Sequence, residues 1–382
     1  MLARLVAERR IIVSAGPGGV GKTTVAASIA ALAARSGRKT LVATIDPAPR
    51  LADALGIPNL GPEASAVPAE VAAALAVPSG SLFAARIDTA LTFRKLVESE
   101  APDLEMRRRI FENPIYRQMT STLTGSQEYA STVALHDFVT AGGYDLVVLD
   151  TPPTANALDF LDAPARITEA VQSPAISWFA KSRADTGRFS LRRLGASGAA
   201  LLHRVGKFVG SQFLDDLGAF LGDFQNVLGG FLRRAQAIEA LLRRDDTGFL
   251  LVLAPELPAV NEALVFFERL RAAGLHLDAF VANRTLRAPQ LPVAELEAAL
   301  VGADARFAPV DRAQAQPALH VALDYLTRAA GAQARELDRL AERALNVPIV
   351  PLPLLSHEAS SLSALRALGD EMARAQPASR PR

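Results

Sequence analysis

The run Ser14-Ala15-Gly16-Pro17-Gly18-Gly19-Val20-Gly21-Lys22-Thr23-Thr24 carries the spacing G-x-x-x-x-G-K-T. A β-type stretch, Ile11-Ile12-Val13, precedes it, and a helix-type stretch, Val25 to Ala34, follows. In that strand–loop–helix setting the glycines let the backbone curl into a nest of N–H donors for phosphate oxygens. Gly16, Gly18, Gly19, Val20, Gly21 and Thr24 would form this cradle. Lys22 would reach the β- and γ-phosphates, and the Thr23 hydroxyl would ligate Mg²⁺. The pattern points to a nucleotide-binding chain.

Two carboxylates complete the chemistry. Leu146-Val147-Val148-Leu149-Asp150 is an apolar strand ending in an acid. Asp150 there would hold the Mg²⁺ shell through water. The residues that follow, Thr151-Pro152-Pro153-Thr154, occupy the natural place for a loop that senses the γ-phosphate. A second strand ends in Thr44-Ile45-Asp46-Pro47-Ala48. A carboxylate opposite the glycine loop can orient the attacking water. A lone Asp after a strand also serves as a helix cap. The company of Lys22 and Asp150 favours the catalytic role for Asp46. The expected switch set is Asp46, Pro47, Asp150, Thr151, Pro153 and Thr154.

The elements that must hold these groups are legible as apolar runs. Strands are expected at Ile11–Ala15, Leu41–Thr44, Leu82–Arg86, Leu146–Leu149, Phe249–Leu253, Leu277–Ala282 and Val347–Val350. Continuous apolar strands alternating with helices indicate an α/β fold. The expected class is a P-loop NTPase with a mostly parallel, doubly wound sheet and an inserted helical subdomain. The core is expected from 1–90, 142–163 and 246–372, the helical subdomain from 91–141 and 164–245, and a disordered tail from 373–382. One apolar face recurs at Val205, Phe208, Val209, Phe213, Leu217, Phe220, Leu221, Phe224, Val227, Leu228, Phe231 and Leu232. Glycines punctuate it, so it reads either as a close-packed core helix or as an adaptable wall of a hydrophobic groove.

Composition narrows the classes. The 382 residues carry a net charge of +1, which gives no electrostatic footprint for nucleic acid. No apolar run reaches bilayer length, so membrane contact is expected to be peripheral at most. The N-terminus reads as entering a strand directly, without a signal-peptide core, and a cytoplasmic setting is expected. There is no cysteine, which removes disulfides, iron–sulfur clusters and thiolate metal sites. The five histidines show no ligand-like spacing, so no histidine metal site is expected. The only lysines are Lys22, Lys39, Lys95, Lys181 and Lys207.

Gly-x-Gly-Gly-Val-Gly-Lys-Thr-Thr, Asp46-Pro47-Ala48 and Asp150-Thr151-x-Pro153-Thr154 together resemble the deviant-Walker P-loop ATPases. Within that class the chain resembles the family of arsenite-pump ATPases (ArsA) and tail-anchored-protein targeting ATPases. Pro255-Glu256-Leu257 with Glu262, Val281-Ala282-Asn283-Arg284, Val350 to Leu355, and Gly125-Ser126-Gln127-Glu128-Tyr129 add to the likeness. The resemblance implies ATP and Mg²⁺, hydrolysis to ADP and phosphate, and a nucleotide-driven dimer. It implies that Asn283 reads the adenine edge and that Pro351, Leu352 and Pro353 border the base. It also implies a hydrophobic peptide or lipid-like client at the helical subdomain.

The chain departs from this family in two ways. The family places a signature lysine early in the loop, reaching the partner's nucleotide, and here that position is Pro17. Slow hydrolysis as a homodimer, or a heterodimer with a lysine-bearing paralogue, is therefore expected, with Arg50 the candidate replacement cation. The metalloid branch binds through cysteines and the animal and fungal targeting branch uses a Cys-x-x-Cys zinc staple. Neither is available here, which disfavours arsenite efflux. A positioning ATPase on membrane or DNA and a subunit that binds nucleotide without hydrolysing it are the competing readings.

Overall fold

The computed structural model describes residues 1–122, 126–151, 211–288, 312–344, 346–355 and 361–377, with 162, 165, 168, 169 and 295 as single residues. At its centre β1 (Ile11–Ala15) is buried at every residue. The same holds for β2 (Thr40–Thr44) and β5 (Leu146–Asp150). Strands apolar on both faces are stable only between two helical layers. The sheet has eight strands in the order β3-β4-β2-β5-β1-β6-β7-β8. The remaining strands are β3 (Ser65–Ala66), β4 (Leu82–Arg86), β6 (Thr247–Leu253), β7 (Leu277–Thr285) and β8 (Ile349–Pro353). All neighbours pair in parallel except β3 with β4. This is the doubly wound α/β sheet expected from the apolar runs. The two-residue β3 was missed, because both of its residues are exposed and carry no apolar signal.

The chain winds from β1 toward β2 and β4, returns at β5, and then builds outward through β6, β7 and β8. The direction reverses at β1, so the crevice beyond its carboxyl end is where this class of sheet binds ligands. Register fixes what stands there: Ser14 of β1 and Thr44 of β2 both align with Asp150. Helix α2 (Lys22–Arg35) leaves the loop at that end and is buried from Val25 to Ala34. Its alanines let it lie between the sheet and α12 (Leu362–Arg374), whose Ser361 side chain caps it by accepting from the Ala364 N–H.

The chain does not enter the first strand directly. Residues Leu2–Glu8 form α1, because Leu2, Leu5 and Val6 share one buried face. At the other end α12 continues through Arg374, past the expected start of the tail, since Leu365, Leu368 and Met372 keep it packed. The Met1 amino group donates to the Ala375 carbonyl. Residues 378–382 lie outside the described residues. Between β2 and β4 stand α3 (Arg50–Leu55) and α4 (Ala69–Ala74). Along the β6–β8 half run α10 (Leu257–Ala272) and α11 (Arg312–Arg343).

Five helices pack among themselves: α5 (Thr89–Glu100), α6 (Leu104–Glu112), α7 (Pro114–Thr122), α8 (Ser126–Thr140) and α9 (Ser211–Leu242). Asp88 and Asp103 cap α5 and α6 by accepting from the Leu91 and Met106 N–H groups. Their shared core is aromatic. Phe231 lies 5.9 Å from Tyr129, 6.1 Å from Phe93 and 5.0 Å from Phe224 between ring centroids. The buried Tyr129 hydroxyl donates to the Phe231 carbonyl at 3.2 Å. Phe220, Phe224, Val227, Leu228 and Phe231 are all buried, so this half of the apolar face is core rather than groove. Gly230 has a packing reason as well: a Cβ there would land on the Glu100 carboxylate, which accepts from Arg233. Val205, Phe208 and Val209 lie outside the described residues, as do the side chains of Phe213 and Leu221.

Phe231→Ala should destabilise the chain by about 3–5 kcal/mol, the usual cost of an aromatic cavity. Val321→Ala, on an exposed face of α11, should shift stability by less than about 0.5 kcal/mol. Urea unfolding followed by circular dichroism measures both.

Candidate functional site

A cavity of about 410 Å³ opens at the carboxyl end of β1 and is lined by Gly19, Gly21, Lys22, Thr23, Thr24, Asp46, Arg50, Thr151 and Arg284, among others. The glycine loop is shaped by what lies behind it. Gly16 has φ +148°, and a Cβ on it would fall onto the Val252 carbonyl of β6. Gly21 has φ +91°, and a Cβ there would strike the Asn283 amide. Both positions combine a backbone geometry that side chains resist with a close approach that excludes one. Gly18 and Gly19 face solvent, while Val20 is buried beneath the loop.

Lys22 opens α2 and is 7% exposed. Its Nζ donates to the Pro17 carbonyl at 2.8 Å, which folds the side chain back along the loop. Burial lowers its pKa, and the Asp150, Asp46 and Glu262 charges oppose that while Arg50 adds to it. The ammonium therefore needs anionic company.

Asp150 is the most constrained group in the site. Its Oδ2 accepts from Thr23 Oγ1 at 2.8 Å and from Thr44 Oγ1 at 3.1 Å. Its Oδ1 is buried with no hydrogen-bond partner. An acid with one oxygen doubly satisfied and the other orphaned beside a threonine hydroxyl fits a hydrated Mg²⁺, with Thr23 and Asp150 as its holders. Burial pushes the Asp150 carboxyl up to about 6, against the two threonine bonds and Lys22, which pull it down. Among the described residues no group of three or more His, Asp or Glu could hold a metal by itself. Any ion here would depend on nucleotide oxygens as further ligands.

Asp46 stands on the same cavity, tied back to Asp150 through Thr44. Its N–H donates to Thr44 Oγ1 at 3.2 Å. Its Oδ1 accepts from the Ala48 N–H at 2.9 Å, and its Oδ2 pairs with Arg50 at 3.0 Å. Pro47 is exposed at the start of the turn. Thr151 closes the floor, its N–H and hydroxyl both donating to the Ser14 carbonyl. Pro153 and Thr154 lie outside the described residues.

The residues expected beside a base are split. Asn283 is buried at the end of β7 and donates through Nδ2 to the Val20 carbonyl at 2.8 Å. It supports the loop while lining a second cavity of about 70 Å³ with Gly21, Thr24, Arg284, Pro353 and Leu354. Pro353 is on that cavity, Leu352 is fully buried in the core, and Pro351 pairs beside Ala282. Thus Lys22, Thr23, Asp46, Thr151 and Asp150 come together, Asn283 and Pro353 form a neighbouring wall, and Leu352 is turned away. Two contributors were not read from the sequence. Thr44 signals itself only as a polar residue inside an apolar strand, two before Asp46. Arg284 stands in the sequence only as the residue after Asn283, and its φ of +59° is visible in the structure alone.

The family model described as an anion-transporting ATPase, ArsA_ATPase, matches residues 9–298. The chain belongs to this family. Relatives extend the picture. A putative arsenical pump-driving ATPase 1 of Aquifex aeolicus is 23% identical over 72% of the chain and 63% of its own length. The uncharacterized protein SCO2128 of Streptomyces coelicolor is 34% identical over 43% of the chain and 39% of its length. ATPase GET3 of Malassezia globosa is 30% identical over 44% of the chain and 45% of its length. The matched region is less than two thirds of each of these relatives. The ArsA-family resemblance read from the motifs is thereby borne out.

The raised Asp150 pKa has a stability consequence. A carboxyl that holds its proton more tightly when folded makes ionisation unfavourable to folding. The penalty is absent below about pH 4, grows as the pH rises toward 6, and is complete above it. Asp150→Asn should therefore be stabilising relative to the parent chain above pH 6, by on the order of 2–3 kcal/mol, and lose that advantage below pH 4. Denaturation midpoints of both proteins from about pH 3.5 to about pH 8 would show the two curves converging in acid.

Proposed function

We propose that the chain binds Mg-ATP in the cavity at the end of β1 and hydrolyses it to ADP and phosphate as a switch ATPase. The supporting observation is the convergence of Lys22, Thr23, Asp46 and Asp150 on one cavity, with Asp150 and Asp46 bridged through Thr44. Backbone N–H groups from Gly18 to Thr24 would hold the α- and β-phosphates, and Lys22 would turn from the Pro17 carbonyl toward the γ-phosphate. Magnesium held by Thr23 and, through water, by Asp150 would neutralise charge on the β- and γ-phosphates. Asp46 would accept the proton of the attacking water through Oδ2. Asn283, Pro351, Leu352 and Pro353 are the proposed surroundings of the base, with Asn283 offering its free amide face and Leu352 contributing backbone only.

The switch would pass through Asp46-Pro47 and Asp150 to Thr154, toward the helical cluster around Phe231. A cytoplasmic setting and a nucleotide-dependent dimer accompany this reading. The name of one relative points to arsenical pump driving, while the motif resemblance implies a hydrophobic client. The absence of cysteine from all 382 residues removes thiolate ligands for a metalloid and favours a hydrophobic peptide or lipid-like client. A second reading rests on Pro17. Its ring cannot supply a cation, so the chain would act as a slow or non-hydrolysing subunit beside a lysine-bearing paralogue.

Lys22→Ala should abolish the calorimetric heat of Mg-ATP binding. Asp46→Asn should bind Mg-ATP but release phosphate about 10²–10⁴-fold more slowly, the usual share of a general base. Light scattering with ADP and with a non-hydrolysable ATP analogue separates the two readings: a dimer with the analogue alone supports the self-paired switch, and a monomer throughout supports the paralogue.

A further inference from the structure

We infer that Arg50 distinguishes ATP from ADP by leaving Asp46 for the terminal phosphate. The inference rests on the nucleotide reading above and adds to it the group that senses the third phosphate. Arg50 is the first residue of α3 and lines the same cavity as Lys22 and Thr23. Its Nη1 pairs with Asp46 Oδ2 at 3.0 Å, with the arginine side chain 61% exposed and the carboxylate 15% exposed. Asp46 Oδ1 is already taken by the Ala48 N–H. With Arg50 in place each oxygen of the candidate general base already holds one partner, and the guanidinium beside Oδ2 makes that oxygen a weaker base toward water.

The guanidinium of this pair is open to solvent, so water and salt screen its attraction to Asp46. A terminal phosphate offers the same guanidinium up to two negative charges and parallel oxygens for a two-pronged contact. The exchange therefore runs toward phosphate, and it frees Asp46 Oδ2 as it does so. ADP, lacking the terminal phosphate, leaves the pair closed. The cavity has a reason to recruit such a cation. At Pro17 the loop supplies a carbonyl to Lys22 and no positive charge of its own. Arg284 also lines the cavity but belongs to the base side, where it borders the second cavity as well. Arg50 alone among these cations is bonded to the water-orienting acid. Asp53, one turn along α3, also lines the cavity and is the competing acceptor on the same helix.

The test compares full-length parent, Arg50→Ala, Arg50→Lys and Lys22→Ala chains by calorimetry with Mg-AMPPNP and Mg-ADP. Arg50→Ala should weaken AMPPNP about tenfold, the scale of one charge-assisted contact, and leave ADP within about twofold. Arg50→Lys should recover part of the loss. Hydrogen exchange at 46–55 should slow with AMPPNP and not with ADP in the parent, and lose that contrast in Arg50→Ala. Equal weakening of both nucleotides, or no weakening of either, overturns the role of Arg50. If Lys22→Ala binds both nucleotides like the parent, the nucleotide reading itself fails. If Lys22→Ala abolishes binding while Arg50→Ala keeps the parent's AMPPNP-to-ADP ratio, only the Arg50 inference fails.

Discussion

One oxygen of Asp150 organises the site. Its Oδ2 is the common acceptor for Thr23, which begins the helix after the glycine loop, and Thr44, which ends β2. Three separate pieces of chain meet there because β5 lies between β1 and β2 and because the register sets Thr44 level with Asp150. A slip of one residue would turn Asp150 to the other face and disconnect both threonines. Burial of the carboxylate is costly, and its raised pKa records that cost. The packed strands on both sides create that cost, and the hydrogen bonds from the Thr23 and Thr44 hydroxyls, with the charge of Lys22, partly offset it.

The other side of the site is shaped by contact rather than charge. The Val252 carbonyl on β6 presses against Gly16, and the Asn283 amide on β7 holds the Val20 carbonyl and crowds Gly21. The glycine loop is therefore clamped between a polar anchor at β5 and a steric one at β6 and β7. Asn283 illustrates how one residue can carry two duties. One of its two Nδ2 hydrogens is committed to the loop, so a base proposed here would meet its second N–H, its oxygen and the cavity wall it shares with Pro353.

Much of this was legible in the residues. Asp46 and Asp150 announce themselves because each ends an apolar run, Lys22 and Thr23 because the glycine spacing sets them at the start of a helix, and strand ends of a parallel sheet converge on one edge. The seven apolar strands announced themselves for the same reason. Other features were not legible, each on its own physical grounds. Leu352 looked equivalent to Pro351 and Pro353, but alternation along β8 turns it into the core. Thr44 looked like an ordinary β-branched strand residue, since its role depends on a neighbour 106 positions away. The glycines of α9 suggested plasticity. At Gly230 the structure gives a different cause, the close approach of the Glu100 carboxylate, which no local pattern encodes.

Pro17 and Arg50 are two parts of one charge distribution. The backbone carbonyl of residue 17 accepts from Lys22 and keeps that ammonium inside its own cavity, while the proline ring adds no charge. A lysine at that position would add a second charge, which the resemblance to ArsA-type dimers directs toward the partner. A chain built this way can receive a cation from a partner without giving one back. Its own added positive charge comes from Arg50, which stands on the cavity wall and is bound to Asp46 rather than projecting away. Two such identical chains facing one another would each lack the donated charge, whereas a partner with lysine at the corresponding place would supply it to one site of the pair. On the proposed reading as a nucleotide-driven dimer, this difference at a single loop position would make turnover depend on which partner the chain meets.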